Sequence, residues 1–425
     1  MNVQGNKKPV TGFHPTITWF AAWLIWPFGA LAAALKNYRA AGAQFVFWLF
    51  CMYFGFVFVF PDTIQGSADS ARYAQKLVEM HEKALSFHTL IKTFYNEEEG
   101  IVDFYQPLAT WLVAVFTSDP KWLYALFGAV FGIFYVKNIW FLLTRLNHKT
   151  RFFLLLLLLA FALTNPIWNI NGARMWTAAQ VFLYGGLSYY LEQKKSGFFW
   201  MAASALFHFS FILPIVSIFI FSLLPKNITI FFFFYILTAF VTEIDIKTVR
   251  DAISFVPDFF QKRIDSYTNP DYIAKIQEAT EYNSWHVNFA ALSLRIVLYT
   301  LTIIAYAQSR YWKPGNNSIR QIFMLALFLG GFANLTSHLP SGGRFVTIAN
   351  GFFFAAFVLI FQHKFLLKKN RLVRIILIPL LSFWLIFAVR VGFDYTGFMT
   401  VFGNPLMAVS GIEQRPLITF VKSLF

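Results

Sequence analysis

Long apolar runs separated by short polar turns dominate the chain. They lie at 17–35, 44–60, 104–117, 121–143, 152–164, 173–191, 198–224, 228–243, 287–308, 321–337, 345–367 and 372–391. Most approach the ~20 residues an α-helix needs to cross a ~30 Å hydrocarbon core. A helix satisfies its own backbone in lipid, so such runs predict helices rather than open sheets. The pattern therefore predicts one integral membrane domain over 1–425, an all-α polytopic bundle of about 11–12 membrane-embedded segments. Two polar stretches interrupt it, at 61–103 and 244–286. The first contains ADSARYAQKLVEMHEKAL, whose spacing predicts a helix.

Charge orients the bundle. The formal net charge is +15, and the cations gather in turns at Lys36/Arg39, Arg145/Lys149/Arg151, Lys194/Lys195, Arg310/Lys313/Arg320 and Lys368/Lys369/Arg371/Arg374. That asymmetry marks those turns as cytoplasmic. The stretch 61–103 is acid-rich, with Asp62, Asp69, Glu79, Glu82, Glu97, Glu98, Glu99 and Asp103, and 244–286 is also net acidic. Both are expected as outer loops. Counting crossings between these landmarks then exposes two irregular segments. The run 104–117 is too short to span, and 198–224 must be a broken or re-entrant pair, bent near His208-Phe209-Ser210 and Pro214, with Lys226 inside. Non-helical backbone at membrane depth occurs where it lines protein or a watery cavity.

Composition removes several function classes. The single cysteine, Cys51, excludes disulfides and thiolate metal clusters. The eight histidines are scattered, with no HExxH or DxD spacing, so no metal or other cofactor is expected. No phosphate-binding glycine loop of either nucleotide type occurs. Membrane orientation accounts for the basic turns, so nucleic acid is not an expected partner. The first apolar run carries Trp19, Trp23 and Trp26 and lacks a small-residue cleavage site, which predicts a signal anchor.

Arg174, His208 and Arg344 stand out as cations inside or at the edges of apolar runs. A charge near the bilayer centre costs at least ~2.5–3.5 kcal/mol, unless the side chain snorkels to the headgroups. Arg174 follows Asn171-Gly172-Ala173 and Arg344 follows Ser341-Gly342-Gly343, each at an expected outer helix start. There the first-turn N–H groups and an arginine fork together suit phosphate oxygens. Asp62 and Asp69 follow the helix 44–60 on the same face, with Arg72 three residues after Asp69. Such a carboxylate could deprotonate a sugar hydroxyl, or simply pair with Arg72. His208 offers a second base, with an ordinary pKa near ~6.5, and His338 at the same edge a third.

These pieces resemble the EpsG family of Wzy-type polysaccharide polymerases. The matching residues are WPFGALAAALKNYR, then ADSARY, NGARMWTAAQVFLYGGLSYYLEQKK, FFWMAASALFHFSFILP and a late GGRF, together spanning most of 17–350. The resemblance implies a GT-C-like membrane glycosyltransferase of the bacterial inner membrane, working at its periplasmic or outer face. Its substrates would be undecaprenyl-diphosphate-linked oligosaccharides, and membrane lipids and a chain-length regulator protein are the implied partners. It carries over Asp69, Arg72 and Tyr73 from ADSARY, Arg174 from NGAR, His208 from LFHFS and Arg344 from GGRF. On this reading Asp69 and His208 are the catalytic pair, Arg174, Arg344 and Arg72 hold the diphosphate, and Asp62, Tyr73, Asn171 and His338 line the substrate. Residues 370–425 carry no matching motif. Two other functions share these features: a transferase using a polyprenyl-phosphate monosaccharide, and a flippase for lipid-linked oligosaccharides. A flippase would be expected to show duplicated halves, and no internal repeat is present.

Overall fold

A computed structural model describes residues 15–60, 69–83, 90–91, 103–146, 152–241, 284–310, 312, 317–337, 339, 342–362, 371–411 and 414–424. Asp62, His338 and nearly all of 244–286 lie outside the described residues. Those described are helical or irregular, with no strand among them.

The apolar runs become helices close to their expected bounds. They are α1 (Pro15–Ile25), α2 (Pro27–Lys36) and α3 (Ala43–Phe56), then α4 (Asp69–Glu82) from the first polar stretch. Next come α5 (Tyr105–Ala114), α6 (Pro120–Leu143), α7 (Phe152–Thr164) and α8 (Ala173–Glu192). The second half contributes α9 (Ser196–Phe207), α10 (Ile212–Leu223), α11 (Ile228–Thr238), α12 (Trp285–Ser309), α13 (Asn317–Thr336), α14 (Gly343–Phe361) and α15 (Arg371–Gly392). Three short helices, Phe398–Phe402, Pro405–Val409 and Leu417–Lys422, follow. The first run, expected as one segment over 17–35, is two helices broken at Trp26. Pro27 stands at the first position of α2, where its missing N–H does no harm but ends the preceding helix.

Side-chain pairs fix how the helices run. Helices α3 and α6 are antiparallel, since Phe47 meets Tyr135 (5.7 Å) at one end and Gly55 meets Tyr124 at the other. Helix α8 runs parallel to α6: Asn138 donates to Gln180 Oε1 at 2.8 Å, and further along Arg145 pairs with Glu192 at 3.0 Å. Helices α9 and α10 form the hairpin expected from the crossing count. Gly197 of α9 lies against Gly185 of α8, the hairpin turns at His208, and α10 returns with Phe211 near Phe182 and Phe221 near Tyr190. The bundle thus has a basic end, with Arg39, Arg145, Glu192 and Lys194, and an opposite end at the starts of α6, α8 and α14.

Glycine allows the closest approach. A Cβ on Gly128 would fall 2.3 Å from the Cys51 carbonyl, and one on Gly55 2.0 Å from the Tyr124 carbonyl. Small residues let membrane helices pack backbone to backbone. Gly128→Leu should therefore lower the thermal unfolding midpoint in detergent, by overpacking of about 1–3 kcal/mol or more. An unchanged midpoint would mean that α3 and α6 do not touch there.

Candidate functional site

The polar end converges on a buried carboxylate. Asp103, immediately before α5, is fully buried. Its Oδ2 accepts from Arg174 Nη1 at 3.0 Å, and its Oδ1 accepts from the Phe209 amide at 2.7 Å. The Phe104 amide donates to the Leu206 carbonyl at 3.0 Å. One residue pair thus ties the start of α5 to the start of α8 and to the tip of the α9–α10 hairpin. A buried ion pair of this kind is stable only with its remaining lone pairs satisfied, and the Phe209 amide supplies such a bond.

Arg174 has a second partner. Its Nε donates to Tyr73 Oη at 3.0 Å, and its guanidinium lies 5.8 Å from the centre of that ring. Tyr73 is buried on the inner face of the amphipathic α4. Burial pushes its phenol up to about 12, against a lowering by Arg174, so it stays protonated and accepts the arginine's hydrogen bond without losing its own proton. Nη2 of Arg174 has no partner among the described residues.

Asp69 opens α4 and pairs with Arg72 one turn on, as the i,i+3 spacing suggests. Its Oδ2 lies beside the chain entering α8: a Cβ added to Gly172 would be 3.9 Å from it. Gly172 has no side-chain cap, nor has Gly342 at the start of α14, so the first-turn amides of both helices lack that acceptor. Asp69, Arg72, Tyr73, Arg174 and Gly172 are therefore one neighbourhood.

His208 is buried at the hairpin turn. The Ser210 amide donates to its Nδ1 at 3.2 Å, and Ser210 Oγ lies 2.7 Å from the same nitrogen. Accepting an amide proton at Nδ1 places the ring's own proton on Nε2. His208 joins the cluster through its neighbour Phe209 and Asp103.

Asn171 contributes differently from the expectation of a substrate contact alone. It lies in the 3-10 turn Ile167–Gly172 that breaks the chain between α7 and α8, after Pro166. Its Nδ2 donates to Tyr395 Oη at 2.8 Å, and the Val59 amide donates to the Tyr395 carbonyl at 3.2 Å. Behind the break, Gln180 donates to the Asn165 carbonyl at 2.8 Å and Asn165 donates to the Trp176 carbonyl at 3.0 Å. Side-chain amides thus replace the backbone bonds that the break forfeits.

Arg344 stands apart. It has no hydrogen bond or ion pair among the described residues. Helices α8 and α14 run parallel around a narrow cavity lined by Ala179, Gln180, Thr347 and Ile348. One turn before that cavity, Arg344 and Trp176 stand at the same level, so both arginines belong to the same end of the bundle.

Asp103 and Tyr395 were not singled out by sequence reasoning. Asp103 was one acid among many in an acid-rich stretch, and Tyr395 lies in a region without a motif. Asp103→Asn should lower stability by about 3–5 kcal/mol, because the Arg174 charge is left in place without its partner. Adding Arg174→Met should restore much of that stability but no activity. Differential scanning fluorimetry of the single and double variants checks this; a single variant as stable as the parent would mean the pair contributes nothing.

Repeated apolar helical spans among the described residues make this a multi-pass membrane protein, and the family match places it with polysaccharide polymerase-like proteins. The chain belongs to the EpsG family, whose model matches residues 46–400. That match takes in every residue of the cluster, Tyr395 included, and leaves WPFGALAAALKNYR outside. No match is found among curated proteins or solved structures.

Proposed function

We propose that the protein is a polysaccharide polymerase that transfers a growing glycan from undecaprenyl diphosphate to the non-reducing end of a new lipid-linked repeat unit. The reaction would take place at the outer face of the bacterial inner membrane, in a GT-C-like bundle, with no metal needed. One observation carries this reading: Arg174, clamped by Asp103 and Tyr73, stands beside Asp69 at the end of the bundle opposite the basic turns.

In the proposed step the acceptor hydroxyl attacks the anomeric carbon of the donor glycan. The bond from that carbon to the diphosphate oxygen breaks, and its electron pair leaves on undecaprenyl diphosphate. Asp69 takes the hydroxyl proton. Arg174, with Arg344 and Arg72, meets the charge that grows on the leaving group. The clamp fixes the Arg174 fork in advance, so little reorganisation is needed as charge develops. With the Ser210 amide donating to its Nδ1, His208 is poorly suited to abstract a proton there. Asp62 and His338 are kept as substrate-lining residues by their sequence placement at the same outer edge.

The test is purified protein with undecaprenyl-diphosphate-linked repeats of defined length. Products lengthening by whole repeats are expected. Addition of single sugars from a polyprenyl-phosphate donor, or translocation without transfer, would overturn the reading.

A further inference from the structure

Among the described residues, two cations lie more than one turn from both ends of a long apolar helix: Lys137 in α6 and Arg295 in α12. They are treated very differently. Lys137 is half-buried with its ammonium 5.2 Å from the centre of the Tyr184 ring, and an aromatic face partly offsets a desolvated cation. Arg295 is exposed on the outside of the bundle, the eleventh of 25 residues in α12. It has no hydrogen bond, ion pair or ring contact among the described residues. Tyr235 lies within its field, but a neutral phenol does not neutralise a guanidinium.

The setting suggests what does. Helix α12 is peripheral, with far less of its apolar length buried than α14. Its exposed side carries Asn288, Leu292, Arg295, Ile296 and Ile303. Steps of three, four and seven residues along 288, 292, 295/296 and 303 keep one helix face, the seam along which one membrane helix packs on another. Ala291, also exposed, sits one turn before Arg295 and keeps the approach open. From the middle of a span the cation is too deep for headgroups to neutralise fully, and a diphosphate drawn to that depth would pay a larger desolvation penalty than a single carboxylate. The described residues of a second copy offer no mid-span counter-charge. Among the described residues, the long apolar helices carry one carboxylate, Glu192, which lies at a helix end and is paired with Arg145 and Lys194.

We propose that the exposed face of α12 centred on Arg295 docks a membrane-spanning helix of another protein that bears an Asp or Glu at mid-span. This surface is separate from the cluster around Arg174, so it stands or falls independently of the polymerase reading.

The test uses the full-length protein, fluorescently labelled, in lipid vesicles with a synthetic Leu/Ala transmembrane peptide carrying one central Glu. A peptide with Gln in its place is the control. Energy transfer should report binding of the Glu peptide about tenfold tighter, the scale of interhelical polar contacts in membranes. Arg295→Leu should erase that preference and Lys137→Gln should keep it. Arg295→Glu should transfer the preference to a peptide with a central Lys, which guards against a variant that merely misfolds. Equal binding of the Glu and Gln peptides, or a Glu preference that survives Arg295→Leu, would overturn the proposal and leave Arg295 as a snorkelling residue.

Discussion

Asp69→Asn should reduce polymer formation by about 10²–10⁴, the range expected when a general base is removed. The substitution keeps size and shape, and its amide can still accept a hydrogen bond from Arg72, so α4 should dock as before. What is lost is the ability to take a proton. His208→Gln should behave otherwise, with a reduced but measurable rate and an unaltered pH profile. The reason is geometric: the Ser210 amide occupies His208 Nδ1 at 3.2 Å, so the ring is held as a donor. The decisive measurement is repeat-unit polymerisation by both purified variants across pH. A fully active Asp69→Asn enzyme would remove Asp69 from the mechanism. A low-pH limb that flattens in His208→Gln would make the histidine the base instead.

Arg174→Lys should cost about 10²–10³ in turnover, comparable to deleting one preorganised donor for a developing anion. Arginine meets three demands at once. Nε binds Tyr73, Nη1 binds Asp103, and Nη2 has no partner among the described residues. A lysine ammonium is a single point charge on a flexible stem. It can stay with the buried Asp103, which preserves the fold, or turn to phosphate, but it cannot form the fork for both. Stability close to the parent with activity lost is therefore the expected signature. Arg344→Lys lacks such a clamp to preserve and should lose activity with no change in the unfolding midpoint. Near-normal polymer from both lysine variants would make the two arginines interface anchors.

How much of this was written in the chain depends on the kind of interaction. The helix boundaries were legible because apolar runs and basic turns alternate, and membrane thickness sets the length of each run. The turn at His208 was legible too, since the charges at Lys194 and the acidic second loop cannot be reconciled by one straight span. The break at Trp26 had a signal in Pro27, though the continuous apolar character of 17–35 masked it. Asp69 and Arg174 announced themselves through residue type and place. Asp103 did not, because nothing local distinguishes an acid that folds under the bundle end from those beside it. Arg295 was hidden in the same way, inside a run whose mean apolarity absorbs one charge. The pairing of Asn171 with Tyr395 belongs to tertiary structure alone.

That last contact also orders events in time. Asn171 and Tyr395 are 224 positions apart. At ~5–20 residues added per second, about 10–45 s separates the synthesis of the two. During that interval the nascent chain can hold α8 and the α9–α10 hairpin in the membrane, yet Asn171 still lacks its Tyr395 partner. The rim of the cluster closes only after α15 has crossed and its following loop has folded back against Phe58 and Val59. A ribosome stalled before Tyr395 would leave an inserted bundle with an unfinished rim, so insertion and competence are separate milestones in the life of this chain.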